Sequence, residues 1–345
     1  MRKQALLDRM YSVYSNRNPF FSEGWGKKDI LNHLIYEGTE KVNQKLQKRK
    51  LKNIKIQWSE EYMQDEIVIQ EGTFQSPFEY TWKWNKSSYK EKLPTEVETA
   101  HIQFIIPRVK FKNMPIVIHF AATGDEGFSR RRRMLGIPLA KIGIASVILE
   151  NPFYGRRRLL SQKNKPIEYF TDFLKMNRAT QDEGLALLKY FRNEGYTNLG
   201  VTGISMGAYI ALAVAQQFPY TLAVSACLPS HCASAAYTEG VMMKSCDWKK
   251  LKEDLKPEQD PIEYMRKILD VSDLRKLPTP KRTNHAILIG AKKDAYIPEY
   301  STYYIHKHWE GSELRWVNSG HVGSILFHIK DYRKSIIDSF NQIMN

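Results

Sequence analysis

The most informative stretch of this sequence is LGVTGISMGAYIALAVAQQ, which occupies residues 199–217. Its first residues are apolar and typical of a short buried strand, and residues 208–217 are typical of an apolar helix. Between them, Gly203 and Gly207 lie two residues on either side of Ser205. A strand that turns abruptly into a helix needs small residues at these positions so that the chains can pass. The stretch therefore predicts a serine at the apex of a strand-turn-helix unit, facing the positive end of the helix dipole.

The sequence from residue 101 onward alternates short apolar runs with longer helix-compatible segments, which is typical of β-α-β units. The runs that we interpret as strands are 116–120, 144–149, 199–203, 222–226, 286–289 and 314–317. The alternation predicts the α/β class, with a mostly parallel, doubly wound sheet. We divide the chain into an N-terminal extension packed on the core (1–100), a core (101–229 and 284–345) and an inserted cap or lid (230–283). An insertion of that length is typical of a functional excursion over the site.

Two further residues supply what a serine nucleophile requires. A serine hydroxyl needs a base, and the base needs an acid that orients it, in the chain order serine, acid, histidine. Asp294 follows the run 286–289, and His321 follows the run 314–317. Because parallel strands end at one edge of a sheet, we expect Asp294 as the orienting acid and His321 as the general base beside Ser205. Each residue alone also fits a helix cap or a core histidine, so the prediction depends on their conjunction.

An oxyanion hole is expected from two backbone N–H groups. The first belongs to Met206, the residue after the nucleophile. The second comes from the small-residue loop that follows the run 116–120, where Ala122 and Thr123 both remain candidates.

Several motifs together resemble the alpha/beta-hydrolase superfamily and, more narrowly, the alpha/beta-hydrolase domain-containing protein 18 family. The matching stretches are Gly24-Trp25-Gly26, Thr123-Gly124-Asp125, Glu150-Asn151-Pro152-Phe153-Tyr154-Gly155, Thr202 to Gly207, Asp294 to Pro298 and Gly320-His321. The resemblance implies a hydrolase fold with Ser205, Asp294 and His321 as its triad, and an N-terminal extension that is a family feature, which favours the extension over a cleaved presequence. The sequence departs from many hydrolases at Ala121-Ala122, where those proteins have His-Gly.

The charge balance favours anionic partners, because 52 Lys and Arg face 37 Asp and Glu and give a net charge of +15. Two arginine clusters, Arg130 to Arg133 and Arg156 to Arg158, follow predicted strand ends. We expect Arg130, Arg156, Arg157 and Arg158 to contact an anionic part of the substrate. The alternative, in which they are solvated surface residues, stays open because successive helical residues point about 100° apart.

These features predict a serine hydrolase that cleaves an acyl ester of a small molecule or a lipid, including phospholipid or other anionic lipid esters. A non-catalytic binding protein of the same fold is the first alternative. A nucleic-acid-binding protein is the second, although no recognition motif accompanies the basic charge, and we expect no nucleic-acid partner. Cys227, Cys232 and Cys246 lack the spacing of a disulfide framework or a zinc site, so we expect no metal and no cofactor. The sequence leaves the oligomeric state open.

The compartment indicated is a reduced, intracellular one, either cytoplasmic or peripheral to an anionic membrane. The first seventeen residues are basic and carry apolar side chains at helical spacing, among them Leu6, Leu7, Met10 and Val13. This pattern has two interpretations: a mitochondrial targeting segment, or a first helix that packs its apolar stripe on the domain. We favour the packed helix.

Overall fold

The structure is a computed structural model and describes residues 6–15, 18–47, 50–84, 87–109, 113–162 and 166–344. Arg2, Lys3 and Arg17, on which the targeting interpretation partly depends, lie outside the described residues. Among the helices that are described, none combines the length and the apolar character needed to cross a membrane.

A single large sheet organises the described chain. Its strands and those of a separate hairpin are β1 (Gln57–Trp58), β2 (Tyr62–Gln64), β3 (Ile67–Gln75), β4 (Tyr80–Trp84), β5 (Ser87–Glu91), β6 (Thr99–Ile106), β7 (Ile116–Phe120), β8 (Ala145–Leu149), β9 (Leu199–Ile204), β10 (Ala223–Cys227), β11 (Ala286–Ala291) and β12 (Glu313–Val317). The strand order is β1-β3-β6-β8-β7-β9-β10-β11-β12, with β2 beside β3. Strands β8 to β12 and β7 pair in parallel, whereas β6 is antiparallel to β8 and to β3. The predicted doubly wound, mostly parallel sheet is confirmed.

Helices cover both faces of this sheet. In the described residues they are α1 (Leu6–Ser15), α2 (Lys28–Gln47), α3 (Ser129–Arg131), α4 (Ile137–Ala140), α5 (Phe170–Asn193), α6 (Met206–Gln217), α7 (Trp248–Glu253), α8 (Pro261–Leu269), α9 (Glu299–His308), α10 (His321–Phe327) and α11 (Ile329–Met344). Every residue of β7, β8, β10 and β11 is buried. Strands buried on both faces are continuous apolar runs, and this explains why the sequence pattern located them well.

The N-terminal hundred residues contribute to the same sheet. Strand β3 pairs with β6 along its whole length, so β1, β2 and β3 extend the sheet at one edge. The segment before them packs elsewhere: Phe21 and Trp25 are fully buried against Phe170 of α5. The extension therefore supplies both edge strands and core side chains.

Helix α1 corrects one expectation. Three of its apolar side chains do not pack on the domain: Leu6 and Val13 are 72% and 71% exposed, and Met10 is exposed as well. Among the side chains of this helix whose burial is described, those of residues 6–13, the buried ones are polar, namely Asp8 and Ser12. Helical periodicity indicates that a helix has two different faces, but it does not show which side chains become buried.

The inserted segment 230–283 packs above the carboxyl edge of the sheet, together with the N-terminal extension. Trp25 donates a hydrogen bond from Nε1 to the carbonyl of Leu251 at 2.8 Å. The backbone of Phe20 forms an isolated parallel β-bridge with that of Cys246. Leu251, Met265 and Leu274 from this segment are fully buried. The insertion is thus held by core side chains, and its mobility stays a prediction.

Candidate active site

Ser205 lies at the turn between β9 and α6. Its backbone has φ 57° and ψ −119°, outside the region that side chains normally adopt. Its N–H donates to the carbonyl of Cys227 at 2.8 Å, and its own carbonyl accepts from the N–H of Ala208 at 2.9 Å. The neighbouring strand and the first turn of the helix therefore hold the serine in a strained backbone conformation.

The two glycines around Ser205 are required by close approach. A Cβ on Gly203 would lie 2.2 Å from the backbone of Gly207, and a Cβ on Gly207 would lie 2.3 Å from the carbonyl oxygen of Phe120. Neither backbone group has room to move away. The second contact also places the end of β7, and the loop that follows it, directly beside the serine turn.

The loops after β11 and β12 bring Asp294 and His321 together. Asp294 Oδ2 accepts a hydrogen bond from Nδ1 of His321 at 2.7 Å. The other oxygen, Oδ1, accepts the backbone N–H groups of Tyr296 and Ile297, both at 2.8 Å. With its Nδ1 proton assigned to Asp294, the imidazole leaves Nε2 unprotonated, which is the tautomer that a general base requires.

The electrostatic surroundings of His321 favour its charged form. Burial alone lowers the pKa of this imidazole, but the Asp294 carboxylate, through its charge and its hydrogen bond, and the Asp8 carboxylate together raise the pKa above its ordinary value. The ring of Tyr296 lies against the imidazole with the ring centroids 5.0 Å apart. An imidazolium that forms during a reaction is therefore stabilised at this position.

Ser205 and His321 line one cavity of about 460 Å³. Its wall is mostly apolar, and its largest apolar contributors are Phe20, Met134, Phe173, Met206, Tyr209, Tyr237, Met242, Tyr296, Ile297, Val322, Ile325 and Leu326. Within the described part of the chain, Ser205 Oγ makes no hydrogen bond to His321. Hydrogen bonds between a catalytic base and its nucleophile commonly shorten when substrate is bound.

The expected oxyanion residues Met206, Ala122 and Thr123 all line this cavity. Met206 is the first residue of α6, and an N–H at that position has no partner within the helix. The Thr123 hydroxyl approaches Met206 Sδ at 3.7 Å, and the next N–H, that of Gly124, donates to the Tyr154 hydroxyl at 3.3 Å. Gly124 is thereby engaged elsewhere, and the choice between Ala122 and Thr123 stays open.

The motif Glu150 to Gly155 forms hydrogen bonds with the loop after β7, which carries Ala122 and Thr123. Glu150 Oε1 accepts the N–H of Gly127 at 2.8 Å, and burial raises the pKa of its carboxyl above the ordinary value. Gly155 has φ 51°, and a Cβ there would lie 1.9 Å from Glu150 Oε1. The Tyr154 hydroxyl, whose pKa burial raises to about 12, accepts from Gly124. The motif thus fixes the loop that carries Ala122 and Thr123.

Arg157 requires a correction. It was expected to contact substrate, but its side chain is fully buried and forms two hydrogen bonds with Glu183, at 2.7 and 2.9 Å. Its remaining donors reach the carbonyls of Val97 and Glu150, both at 2.9 Å. This guanidinium therefore belongs to the core and has no donor directed at the cavity.

The other three arginines have different surroundings. Arg156 pairs with Glu71 at 2.8 Å, Arg158 pairs with Glu126, and neither lines the cavity around Ser205. Arg130 does line that cavity, with a side chain that is 58% exposed and 3.9 Å from Asp125. Of the four arginines proposed for substrate charge, the structure brings one to the site.

Asp8 is at the site although no motif pointed to it. Its carboxylate accepts the backbone N–H groups of Ala295, His321 and Val322 at 2.8 to 3.0 Å. The only signal in the sequence is that Asp8 is the sole acid in a basic N-terminal segment and that Ser12 follows it one helical turn later. That signal does not indicate a partner.

A parallel doubly wound sheet, with a strained serine between a central strand and its helix, defines the alpha/beta-hydrolase fold. The model of the family described as alpha/beta hydrolase domain containing 18 matches residues 18–263 and 258–342 of this chain. The chain therefore belongs to that family, as the resemblance of its motifs predicted.

Solved structures with the same fold include esterases of low sequence identity. Acetyl xylan esterase from Paenibacillus sp. R4 is 14% identical, with a TM-score of 0.58 over 89% of this chain and 98% of that one. Acetyl xylan esterase 1 from Thermoanaerobacterium sp. JW/SL YS485 is 13% identical, with a TM-score of 0.52 over 96% and 99%. Est1E from Butyrivibrio proteoclasticus, bound to ferulic acid, is 14% identical, with a TM-score of 0.51 over 70% and 96%. At these identities the likeness establishes the fold.

Proposed function

We propose that this protein is a serine hydrolase that cleaves an acyl ester through an acyl-enzyme intermediate. One observation carries the proposal: Ser205 in its strained turn lines the same cavity as His321, whose Nδ1 is hydrogen-bonded to Asp294. Nucleophile, base and orienting acid are the three groups that the reaction requires. The esterases of the same fold named above are consistent with this chemistry.

In the proposed reaction each residue of the site has one role. Ser205 Oγ attacks the ester carbonyl carbon while its proton passes to Nε2 of His321, and the carbonyl π pair moves to the oxygen. The N–H of Met206 and that of Ala122 or Thr123 stabilise this oxyanion. His321 then gives its proton to the alcohol oxygen as the carbon–oxygen bond breaks, which leaves an acyl group on Ser205. Water repeats the sequence, releases the carboxylic acid and restores the serine.

The cavity lining favours an acyl chain, and we propose a lipid ester as the substrate class. Apart from the catalytic residues and Arg130, the wall is dominated by aromatic and aliphatic side chains. Two of the helices that line the cavity carry exposed apolar side chains: Leu326 and Tyr11 line the cavity, and Phe327, Leu6, Met10 and Val13 lie on the same two helices. Exposed apolar side chains on helices beside the site fit peripheral contact with a membrane that presents the ester.

Fewer arginines are placed to contact an anionic head group of the substrate than the sequence indicated. Arg130 lines the cavity, whereas Arg156, Arg157 and Arg158 are paired with carboxylates. We therefore assign any preference for anionic lipid to Arg130 together with the overall positive charge.

The direct test is labelling by a fluorophosphonate probe, followed by hydrolysis of a series of acyl esters. Ser205→Ala should lose labelling completely and lose at least about 10⁴-fold in kcat, because a single missing triad member leaves only oxyanion and binding contributions. The matched control is Ser146→Ala, which removes a hydroxyl from a fully buried serine of β8 that does not line the cavity. A folded parent that is never labelled would favour the non-catalytic binding protein.

A further inference from the structure

Helix α1 buries one carboxylate against the protein. Asp8 is fully buried, whereas Leu6, Met10 and Val13 of the same helix are exposed. Burying a carboxylate is costly unless hydrogen bonds compensate it. Here three do: Oδ2 accepts the N–H groups of Ala295 at 3.0 Å and His321 at 2.8 Å, and Oδ1 accepts the N–H of Val322 at 2.9 Å.

These three N–H groups belong to the two segments that carry the acid and the base: the loop after β11 and the first turn of α10. Ala295 follows Asp294 directly, and His321 is itself the base. Asp8 therefore binds the loop after β11 to the start of α10, next to the hydrogen bond between His321 and Asp294. In addition, it caps α10, a helix of seven residues whose first N–H groups have no partners within the helix.

We propose that Asp8 is a positioning residue of the active site and that helix α1 completes that site. This proposal rests on the proposed function, since it assigns to Asp8 the orientation of His321 and Asp294. Displacement of the base by about 1 Å can cost on the order of 10²-fold in rate even though no reacting group is removed. The second consequence concerns the N-terminal segment: a form of the protein without Asp8 would fold around an incomplete site.

The alternative is a purely structural cap, and the two ideas differ in what happens to His321. A structural cap contributes to stability, and removing it changes the pKa of His321 only through the lost Asp8 charge. A positioning residue also changes the hydrogen bond between His321 Nδ1 and Asp294 Oδ2, which the resonance of the Nδ1 proton reports. The charged and titratable neighbours of His321 are Asp294, Asp8 and Tyr296, with Arg130 on the same cavity wall. The resonance can be followed without any substrate.

The decisive variant is Asp8→Asn. An amide has one acceptor oxygen, and its NH₂ group would face a backbone N–H, so at least one of the three hydrogen bonds must be lost together with the charge. Asp260→Asn is the matched control. Asp260 caps α8 through a single hydrogen bond from Ile262, and asparagine replaces aspartate well at an exposed cap of that kind. Asp8→Glu keeps the charge and tests partial rescue.

Three measurements are made on parent and variants: the thermal midpoint, the fluorophosphonate labelling rate at a pH at which His321 is neutral, and the proton NMR of His321, including its titration and its Nδ1 proton resonance. We expect labelling of Asp8→Asn to slow roughly 10²-fold, the Nδ1 proton resonance to shift or broaden, His321 to titrate at lower pH, and Asp8→Glu to recover part of these effects. Asp260→Asn should match the parent. An unchanged labelling rate and Nδ1 resonance in a folded Asp8→Asn would overturn the proposal, whatever the titration does. If the parent has no esterase activity, the function fails, but the Nδ1 resonance still decides the role of Asp8. If Asp8→Asn does not fold, Asp8→Glu carries the same test.

Discussion

At the scale of single residues, the backbone of Ser205 has a consequence for stability. A non-glycine residue in a sparsely populated conformation costs on the order of 1–3 kcal/mol, and the surrounding strand and helix must offset that cost. We expect Ser205→Gly to be more stable than Ser205→Ala by about 1 kcal/mol, because glycine relieves the strain and alanine retains it. Chemical unfolding of both inactive variants measures the difference. Equal stability would mean that the turn is not strained at this position.

The pH dependence of the reaction also follows from individual residues. The base must be neutral in the free enzyme, so activity rises with pH as His321 loses its proton. Since Asp294 and Asp8 raise the pKa of His321, the acid limb of kcat/KM should lie above the pH expected for an isolated histidine. Asp294→Asn removes the largest raising contribution; burial then prevails, and the acid limb should move to lower pH while kcat falls by about 10⁴-fold. An acid limb that does not move in Asp294→Asn would mean that another group controls it.

At the scale of elements, helices α1 and α10 line the cavity through Tyr11 and Leu326, and both helices carry exposed apolar side chains. The double change Leu326→Ser and Phe327→Ser removes apolar contact area without altering the triad. We expect it to weaken hydrolysis of esters in phosphatidylcholine–phosphatidylglycerol vesicles about tenfold or more, and to leave a short-chain dissolved ester unaffected. Ile142→Ser is the control, because Ile142 is exposed ahead of β8 at the opposite edge of the sheet. An equal loss on both substrates would contradict a surface-docking role.

The elements also show what local sequence can predict. Strands β7 to β12 were predicted within one or two residues because buried strands are short apolar runs bounded by turns. The direction in which helix α1 packs was not predictable, since its polar face carries the one buried acid. The arginine run at 156–158 indicated charge but not orientation, and its middle member, Arg157, points into the core.

At the scale of the whole molecule, the pair Arg157–Glu183 connects the segment after β8 to the centre of α5. Both side chains are fully buried. Arg157→Met should lower the free energy of unfolding by about 3–5 kcal/mol, because it leaves the Glu183 carboxylate buried without its partner. Arg130→Gln, which changes an exposed arginine, should lower it by less than about 0.5 kcal/mol. Combining Arg157→Met with Glu183→Met should restore much of the loss. A single variant as stable as the parent would show that Glu183 finds another partner.

The proximity of the proposed triad residues could be predicted from the sequence, whereas the contacts that support them could not. Ser205, Asp294 and His321 each follow a strand, and parallel strands end at one edge, so local patterns were sufficient to group them, and their catalytic roles stay a prediction. Asp8 is separated from His321 by 313 positions. A contact of that kind leaves no periodicity or spacing to recognise, and only the assembled fold shows it.

The same separation sets an order of events during synthesis. Asp8 is synthesised 287 residues before Ala295 and 313 residues before His321, whose backbone N–H groups donate to its carboxylate. Until those residues have been made, the carboxylate lacks these donors and its oxygen atoms remain in water. A chain interrupted before residue 321 would carry the serine turn without the proposed base. We therefore expect the nascent protein to stay chemically silent until the segment around His321 folds back on helix α1.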